Sequence, residues 1–199
     1  MENYRVESIP DPTIGTSDPQ SGGVKRFFID AFETILLSLI LFLGINAVSA
    51  RIRIESISML PTLRAGDFVI VSRVAYWAGK PGRGDVIIFH YPPDPDREPY
   101  IKRIIGLPGD TVRVTQGKVL VNDHALIEPY ISADPMYEGV WTVPEGSLFV
   151  LGDNRNSSSD SHQWGMVPLE NVIGKAEVVY WPPTEWKLLN QDVAVAAEQ

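Results

Sequence analysis

Hydrophobic and polar positions divide the chain into a polar start, one long apolar run and a series of short apolar segments. From Thr34 to Ala50 there are 17 consecutive residues without a charge, and as an α-helix this run would be about 25 Å long. That length is near the lower limit for crossing a bilayer, and Phe27 to Glu33 can extend the helix into the interface. We therefore predict one membrane-anchoring helix over residues 25–50.

Two other interpretations compete with a single uncleaved span. A cleaved signal peptide would end at a site of small residues, and Ala47–Ala50 resembles one, but the apolar region exceeds the usual length of about 7–15 residues. A buried core helix would carry a polar face, which this run lacks. Two cations flank each end: Lys25 and Arg26, then Arg51 and Arg53. This balance sets no orientation. We expect the N-terminal tail to be cytoplasmic because a short tail before one span, followed by a long domain, more often stays on that side.

After residue 50 the pattern changes to short segments rich in valine, isoleucine and aromatic residues, bounded by turn residues. Seven of them are predicted to be strands: Asp67–Val74, Asp85–Tyr91, Tyr100–Ile105, Thr111–Val114, Lys118–Val121, Ser147–Gly152 and Val172–Trp181. No helical pattern alternates with these strands, which argues against a βαβ architecture. We predict a mainly antiparallel β domain over 51–185, between a flexible tail, 1–24, and a loose C-terminal tail, 186–199.

Composition excludes several classes of function. The net charge is −8 without a basic cluster, so nucleic acid is not an expected partner. The chain has no cysteine, which excludes disulfides, thiolate catalysis and cysteine-ligated zinc. Its three histidines are scattered and form no metal-binding pattern. We expect neither a metal nor a cofactor.

Two serines directly after the apolar run are candidates for chemistry. Ser56 and Ser58 lie two residues apart, so on an extended backbone they share a face. A serine is a weak nucleophile unless a base accepts its proton. Without such a partner these hydroxyls would be ordinary turn residues.

A base could come from the strand Tyr100–Ile105, which carries two adjacent cations. Arg103 keeps its proton and could serve only as a structural ion or donor. Lys102 can lose its proton when desolvated and then act as a general base. The alternative is a lysine on an edge strand with its amine in water.

A histidine base is a second alternative at this point. Asp160 and His162 lie near Ser158 in the sequence, but catalytic triads are normally assembled from distant segments. His90 and His124 stay open as partners of Ser58, although no carboxylate near either of them is placed to orient it.

Three motifs follow one another along the chain: SISMLPTLRAGDFVIV (Ser56–Val71), RGDVIIFHYPPDPDREPYIKRIIGLPGD (Arg83–Asp110) and LGDNRNSSSDSHQWGMVP (Leu151–Pro168). Together they resemble the successive sequence boxes of type I signal peptidases, which are membrane-anchored Ser-Lys endopeptidases. The resemblance covers roughly residues 30 to 183, and the apolar run matches the family's anchor. It implies an antiparallel β-sheet catalytic domain of the signal-peptidase type, preceded by one transmembrane helix.

The resemblance implies a role for each matching position. Ser58 would be the nucleophile, and Lys102 would be the general base that deprotonates Ser58 and then protonates the leaving amine. The backbone N–H of Ser58 and the hydroxyl of Ser56 would form the oxyanion hole. Ser158 would hydrogen-bond and orient the Lys102 amine, with Asp160 and Arg155 as structural support. The positions that match the shallow substrate pockets are Ile54, Met59, Leu63, Ile88, Tyr100 and Ile101.

The implied function is a membrane-bound serine endopeptidase that removes signal peptides from exported preproteins after small residues, in an Ala-x-Ala pattern. It would be single-pass in the cell membrane or in an internal, thylakoid-type membrane, with its catalytic domain extracytoplasmic. Its partners would be preproteins, the lipid bilayer and the protein-export translocon. One alternative is another Ser-Lys hydrolase, such as a self-cleaving repressor, but that would carry an N-terminal DNA-binding motif. The other is a membrane-tethered binding module without catalysis, which would lack the nucleophile or the base.

Some positions depart from the family's pattern. His162 stands where many members carry arginine, Glu55 where some have proline, and Ile57 where many have glycine. The segment between Val121 and Trp141 is short, so the large second β domain that some members insert there has no room. We expect a compact form.

Overall fold

A computed structural model describes residues 21–77 and 79–189 of the chain, which divides into two units, Met1–Gly44 and Ile45–Gln199. The first helix, α1, runs from Ser21 to Val48. Its segment Gly23–Val48 has 26 residues, an 18-residue stretch of it has a mean hydropathy of 2.1, and its apolar side chains are exposed. Such a helix is long and apolar enough to cross a membrane. The structure thus supports membrane anchoring.

The bounds of α1 differ from the predicted 25–50. Residues 21–24, which were predicted to belong to the flexible tail, are helical, and residues 1–20 of that tail lie outside the described residues. Ser49 and Ala50 belong to a strand instead, because they pair with Ser72 and Val71. The Ser49 hydroxyl also donates to the carbonyl oxygen of Ile45 in the last helical turn.

The second unit contains twelve described strands in two antiparallel sheets, which confirms the predicted fold class. The strands are β1 (Ser49–Arg53), β2 (Phe68–Ser72), β3 (Val86–Phe89), β4 (Tyr100–Gly106), β5 (Thr111–Thr115), β6 (Lys118–Val121), β7 (His124–Ala125), β8 (Gly139–Thr142), β9 (Ser147–Leu151), β10 (Val167–Pro168), β11 (Val172–Trp181) and β12 (Lys187–Leu188). A short helix, α2 (Ser161–Trp164), and two 3-10 turns, Leu169–Asn171 and Pro183–Glu185, complete the elements.

The larger sheet has the order β1-β2-β11-β3-β4-β9-β10, with β12 paired to β11. The smaller sheet has the order β7-β6-β5-β8. All seven strands predicted from the sequence are present, and β6 and β11 have the predicted bounds. The C-terminal segment predicted to be loose, 186–199, begins inside the larger sheet as β12. Residues 190–199 of that segment lie outside the described residues.

Strand β4 is the feature that positions the candidate site. It lies between β3 and β9, and every residue after Tyr100 in it is buried. Its apolar side chains enter three separate core clusters, through Ile101, Ile104 and Ile105 respectively. Lys102 and Arg103 are therefore held in the interior of the sheet. The alternative of an edge-strand lysine with its amine in water is wrong.

Candidate active site

The structure brings Ser58 and Lys102 together, although they lie in the turn before β2 and in the middle of β4. Lys102 Nζ lies 2.8 Å from Ser58 Oγ and donates to the Ile101 carbonyl oxygen at 2.9 Å. Both side chains are almost fully buried, with 4% of Lys102 and 7% of Ser58 exposed. A hydroxyl and an amine at this distance can exchange a proton directly.

Burial also changes the proton affinity of the Lys102 amine. Desolvation lowers its pKa from 10.5 to about 8, and the negative charges of Asp160 and Asp153 oppose that change. Removing an ammonium ion from water disfavours its charged form, so desolvation is the dominant cause. The ring of Tyr100 adds to the dry surroundings, with its centroid 5.2 Å from Nζ. Lys102 can thus hold a neutral amine at a mildly alkaline pH.

Ser56 lies beside the hydroxyl of Ser58. Its Oγ is 3.3 Å from Ser58 Oγ, and its side chain faces the groove described below. Within the described residues, the backbone N–H of Ser58 donates no hydrogen bond. A hydroxyl and a main-chain N–H beside Ser58 are donors of the kind that can bind a developing oxyanion.

The loop after β9 holds the backbone around Ser58 through Asn154, a residue that the sequence interpretation missed. The N–H of Asn154 donates to the Ser58 carbonyl oxygen at 3.0 Å, and its side-chain amide donates to the Ile57 carbonyl oxygen at 3.1 Å. Its place directly after Gly152-Asp153 in the third motif was the signal that could have identified it.

Gly152 lets this loop pack closely against the turn that carries Ser58. A Cβ at position 152 would overlap both the carbonyl oxygen of Ser58 and Oγ of Ser158. Any larger residue would have to push the loop away from the turn. Gly152 is a second position that shapes this region and that the sequence interpretation missed.

Ser158 lies in this region, but its predicted bond to Lys102 is not formed. Its Oγ is buried and has no hydrogen-bond partner among the described residues. The amine of Lys102 instead donates to Ser58 and to the main chain at Ile101. Whether Ser158 supports Lys102 stays a prediction.

Asp160 connects the loop to helix α2. Its carboxylate is fully buried, accepts a hydrogen bond from the Gly152 N–H at 2.9 Å and lies 2.5 Å from Nδ1 of His162. It also caps α2 by accepting from the His162 N–H. The ring of Tyr137 stacks on His162 with a centroid distance of 3.9 Å. His162 thus takes the place beside Asp160 where the resemblance would put an arginine.

Arg103 forms a buried ion pair on the face of β4 opposite Lys102. Its Nε and Nη2 donate to the two carboxylate oxygens of Asp153 at 2.8 and 2.7 Å, and Nη1 donates to the Gly84 carbonyl oxygen. Thr62 donates to the same carboxylate at 2.5 Å. Asp153 therefore ties the turn that carries Ser58 to the strand that carries Lys102, a link the sequence did not indicate.

Arg155 is engaged in a second buried ion pair. Its guanidinium binds both carboxylate oxygens of Glu128 at 2.7 and 2.5 Å, and the Tyr130 hydroxyl donates to the same carboxylate at 2.7 Å. The ring of Tyr130 lies 4.1 Å from the Arg103 guanidinium carbon and 5.9 Å from that of Arg155. These contacts agree with a supporting place for Arg155.

An open groove of about 710 Å³ runs past Ser58 and Lys102. Of the six predicted pocket residues, four line it: Ile54, Ile88, Tyr100 and Ile101. Met59 and Leu63 do not line the groove, and both are fully buried in the core. The Leu63 N–H donates to the Met59 carbonyl oxygen across this turn, and both side chains belong to the same core cluster.

The histidine alternatives for the base are wrong. The hydrogen-bonding neighbours of Ser58 Oγ among the described residues are Lys102 and Ser56. His90 is exposed, His124 lies in β7 of the smaller sheet, and His162 is bound to Asp160.

Comparison with known proteins gives consistent similarities. Residues 28–181 match the family described as signal peptidase, peptidase S26. Signal peptidase I of Leptolyngbya laminosa is 49% identical over 183 residues, covering 87% of this chain and 90% of the relative. Probable signal peptidase I-2 of Synechocystis sp. is 42% identical, covering 89% and 84%.

The similarities extend to plants and to a solved structure. Probable thylakoidal processing peptidase 2, chloroplastic, of Arabidopsis thaliana is 42% identical, covering 78% of this chain and 43% of the relative. The crystal structure of a signal peptidase I from Enterococcus faecalis is 34% identical, with a TM-score of 0.45, and covers 48% of this chain and 96% of that one.

Proposed function

Because the chain belongs to the signal peptidase family, peptidase S26, and is a serine endopeptidase, we propose that it removes signal peptides with a Ser-Lys dyad. In this proposal Ser58 is the nucleophile and Lys102 is the general base. The substrates are preproteins, cleaved after small residues in an Ala-x-Ala pattern. The observation that carries the proposal is the buried contact between Lys102 Nζ and Ser58 Oγ at 2.8 Å.

In the acylation step, the neutral Lys102 amine accepts the proton of the Ser58 hydroxyl. The oxygen of Ser58 then attacks the carbonyl carbon of the scissile peptide bond. The resulting oxyanion accepts hydrogen bonds from the Ser58 N–H and the Ser56 hydroxyl. Removing one such donor typically costs about 100- to 1000-fold in rate. The Lys102 ammonium then donates its proton to the leaving amine, which leaves an acyl-enzyme on Ser58.

The deacylation step repeats these roles with water as the nucleophile. Lys102, neutral again, accepts a proton from the attacking water, and the same donors stabilise the second oxyanion. Lys102 returns the proton to Ser58 Oγ as the signal peptide leaves. No group other than these side chains and water enters the proton balance.

The walls of the groove support a preference for small residues. Ile54, Ile88 and Ile101 line it with side chains that are themselves buried in the core, so they have little freedom to move aside. Side chains of alanine size fit against such a wall, and larger ones would displace packed core residues.

We also propose that α1 spans the membrane with the N-terminus in the cytoplasm, so that the second unit meets preproteins leaving the translocon. The chain has no cysteine, which allows a direct test with single cysteines. A membrane-impermeant maleimide applied to intact cells should label Ser132→Cys in the exposed loop after Ile131 and should label Ser17→Cys only after permeabilisation. The reverse labelling pattern would overturn this orientation.

The activity itself is tested with the full chain in detergent and a preprotein with an Ala-x-Ala site. Ser58→Ala and Lys102→Ala should each abolish cleavage. Ser132→Ala and Lys118→Ala make the same chemical changes at exposed positions away from the groove, and both should cleave normally. Full activity in Lys102→Ala would rule out the dyad.

A further inference from the structure

Three charged side chains line the groove without a partner among the described residues. They are Arg53 and Glu55, on the segment leading to Ser58, and Glu98, on the segment leading into β4. All three are exposed, and among the described residues none forms an ion pair or a side-chain hydrogen bond. By contrast, the charged side chains next to the dyad, Arg103 and Asp153, neutralise each other in a buried pair. The rim of the groove therefore carries charges that no other group in the described structure neutralises.

Along the wall formed by the segment that leads to Ser58, a positive side chain, Arg53, is followed two residues later by a negative one, Glu55. Ile54 continues the pairing of β1, since its N–H donates to the Asp67 carbonyl oxygen and its own carbonyl accepts from Gly66. Ile54 is buried and lines the groove wall, while its two neighbours on this extended backbone, Arg53 and Glu55, are exposed and line the same groove. Their Cα atoms are thus roughly 7 Å apart, which is the length of two residues of an extended peptide.

Glu55 is the charge nearer in sequence to the nucleophile on this wall. It precedes Ser56 directly, and Arg53 lies two residues further from Ser58. Glu98 adds a second carboxylate from the other segment, two residues before Tyr100. Outside the dyad, a peptide lying in the groove would therefore meet two carboxylates and one guanidinium, with a net charge of −1.

We propose that Glu55 and Glu98 make the groove select, among signal peptides, those that carry a lysine or arginine side chain close to the cleavage site. This inference rests on the proposed function, in which the groove holds the substrate. Arg53 opposes the selection and restricts it to positions near the scissile bond. An acidic residue at the same substrate position is disfavoured.

The expected size of the effect follows from the exposure of these groups. An exposed ion pair changes a binding constant by roughly two- to fivefold, and it weakens as salt screens the charges. Two carboxylates acting on one substrate charge should therefore give a preference of about tenfold for lysine over glutamate at the best position. The preference should fall to about half or less in 0.5 M salt.

The test measures kcat/KM for peptides that share one Ala-x-Ala cleavage site and carry lysine, glutamine or glutamate singly at each neighbouring position. The informative quantity is the lysine-to-glutamate ratio within each enzyme variant. In Glu55→Gln/Glu98→Gln the ratio should fall to within about twofold of unity, and in Arg53→Gln it should rise. Glu170→Gln removes the same charge from an exposed position outside the groove and should keep the parental ratio.

A binding arm separates this inference from the proposed function. The same peptides, labelled with a fluorophore, are titrated with Ser58→Ala protein, and their Kd values are compared by anisotropy. A lysine preference in Kd that the double variant removes supports the charge selection even if no peptide is cleaved, in which case the proposed function fails alone. A ratio near unity at every position, or one that the double variant leaves unchanged, overturns the charge selection.

Discussion

The N–H of Asn154 and its side-chain amide both donate to the backbone next to the candidate nucleophile, at the carbonyl oxygens of Ser58 and Ile57. One residue of the loop after β9 thus fixes two successive peptide units of the turn that carries Ser58. The orientation of the Ser58 N–H follows from the same peptide planes, because the Ile57 carbonyl and the Ser58 N–H belong to one planar unit. Asn154 therefore orients the proposed oxyanion donor.

Replacing Asn154 with alanine should lower activity more than stability. The variant keeps its backbone bond and loses the amide bond to Ile57, a loss of about 1 kcal/mol in the free energy of unfolding. We expect kcat to fall by about tenfold or more, since a misplaced oxyanion donor stabilises the transition state less. The measurement is kcat and KM for Asn154→Ala, together with chemical denaturation.

Asn156 provides the matched control for that experiment. It lies in the same loop and its side chain also bonds to backbone, at Asp134 and Met136, away from Ser58. Asn156→Ala should change kcat by no more than about twofold. Equal losses of kcat in the two variants would show that general loosening of the loop, and not the orientation of the Ser58 N–H, is responsible.

The depressed pKa of Lys102 predicts the pH dependence of catalysis. Desolvation lowers that pKa to about 8, and the neutral amine is the active form of a general base. kcat/KM should therefore rise with pH up to about 8 and level off above it, falling about tenfold per pH unit on the acid side. A pH–rate profile with a peptide that does not itself titrate measures this, and a flat profile between pH 6 and 9 would exclude Lys102 as the base.

The ion pair between Arg103 and Asp153 should matter for stability. Both side chains are fully buried, so removing one partner leaves an uncompensated charge in the interior. Arg103→Leu should lower the free energy of unfolding by about 3–5 kcal/mol. Arg113→Leu removes one partner of an exposed pair with Asp123 and should cost less than about 1 kcal/mol. Similar values for the two variants, measured by denaturant unfolding, would contradict the prediction.

The strongly hydrophobic strands and the two residues of the dyad could be predicted from the sequence. Val172–Trp181 and Lys118–Val121 were predicted with their observed bounds, because dense β-branched residues between turn residues leave few alternatives. Ser58 and Lys102 were found through motifs, while the periodicity of β4 alone left the position of the Lys102 amine open. The Lys102 amine is buried because β3 and β9 lie on either side of β4. That arrangement is set by the tertiary fold and leaves no signal in the local sequence.

Polar contacts and short edge strands could not be predicted in this way. β1 follows directly on the apolar helix and has only five residues, so its pattern merged with that of α1. Met59 and Leu63 belong to the same motif as Ser58, but only the folded turn shows that they face the core. The partners of Asp153 and Asp160 lie far away in sequence or depend on loop geometry, for which local propensity carries no signal.

The order of strands in the larger sheet makes activity depend on β11, a strand that is synthesised after both Ser58 and Lys102. β11 (Val172–Trp181) lies between β2 and β3, so in the sheet it joins the half that follows Ser58 to the half that contains Lys102. A nascent chain that has not reached Val172 lacks this strand, and the two reactive groups have no continuous sheet to hold them in contact. We therefore expect a ribosome-bound chain to be proteolytically silent until β11 has been added and has paired with β2 and β3.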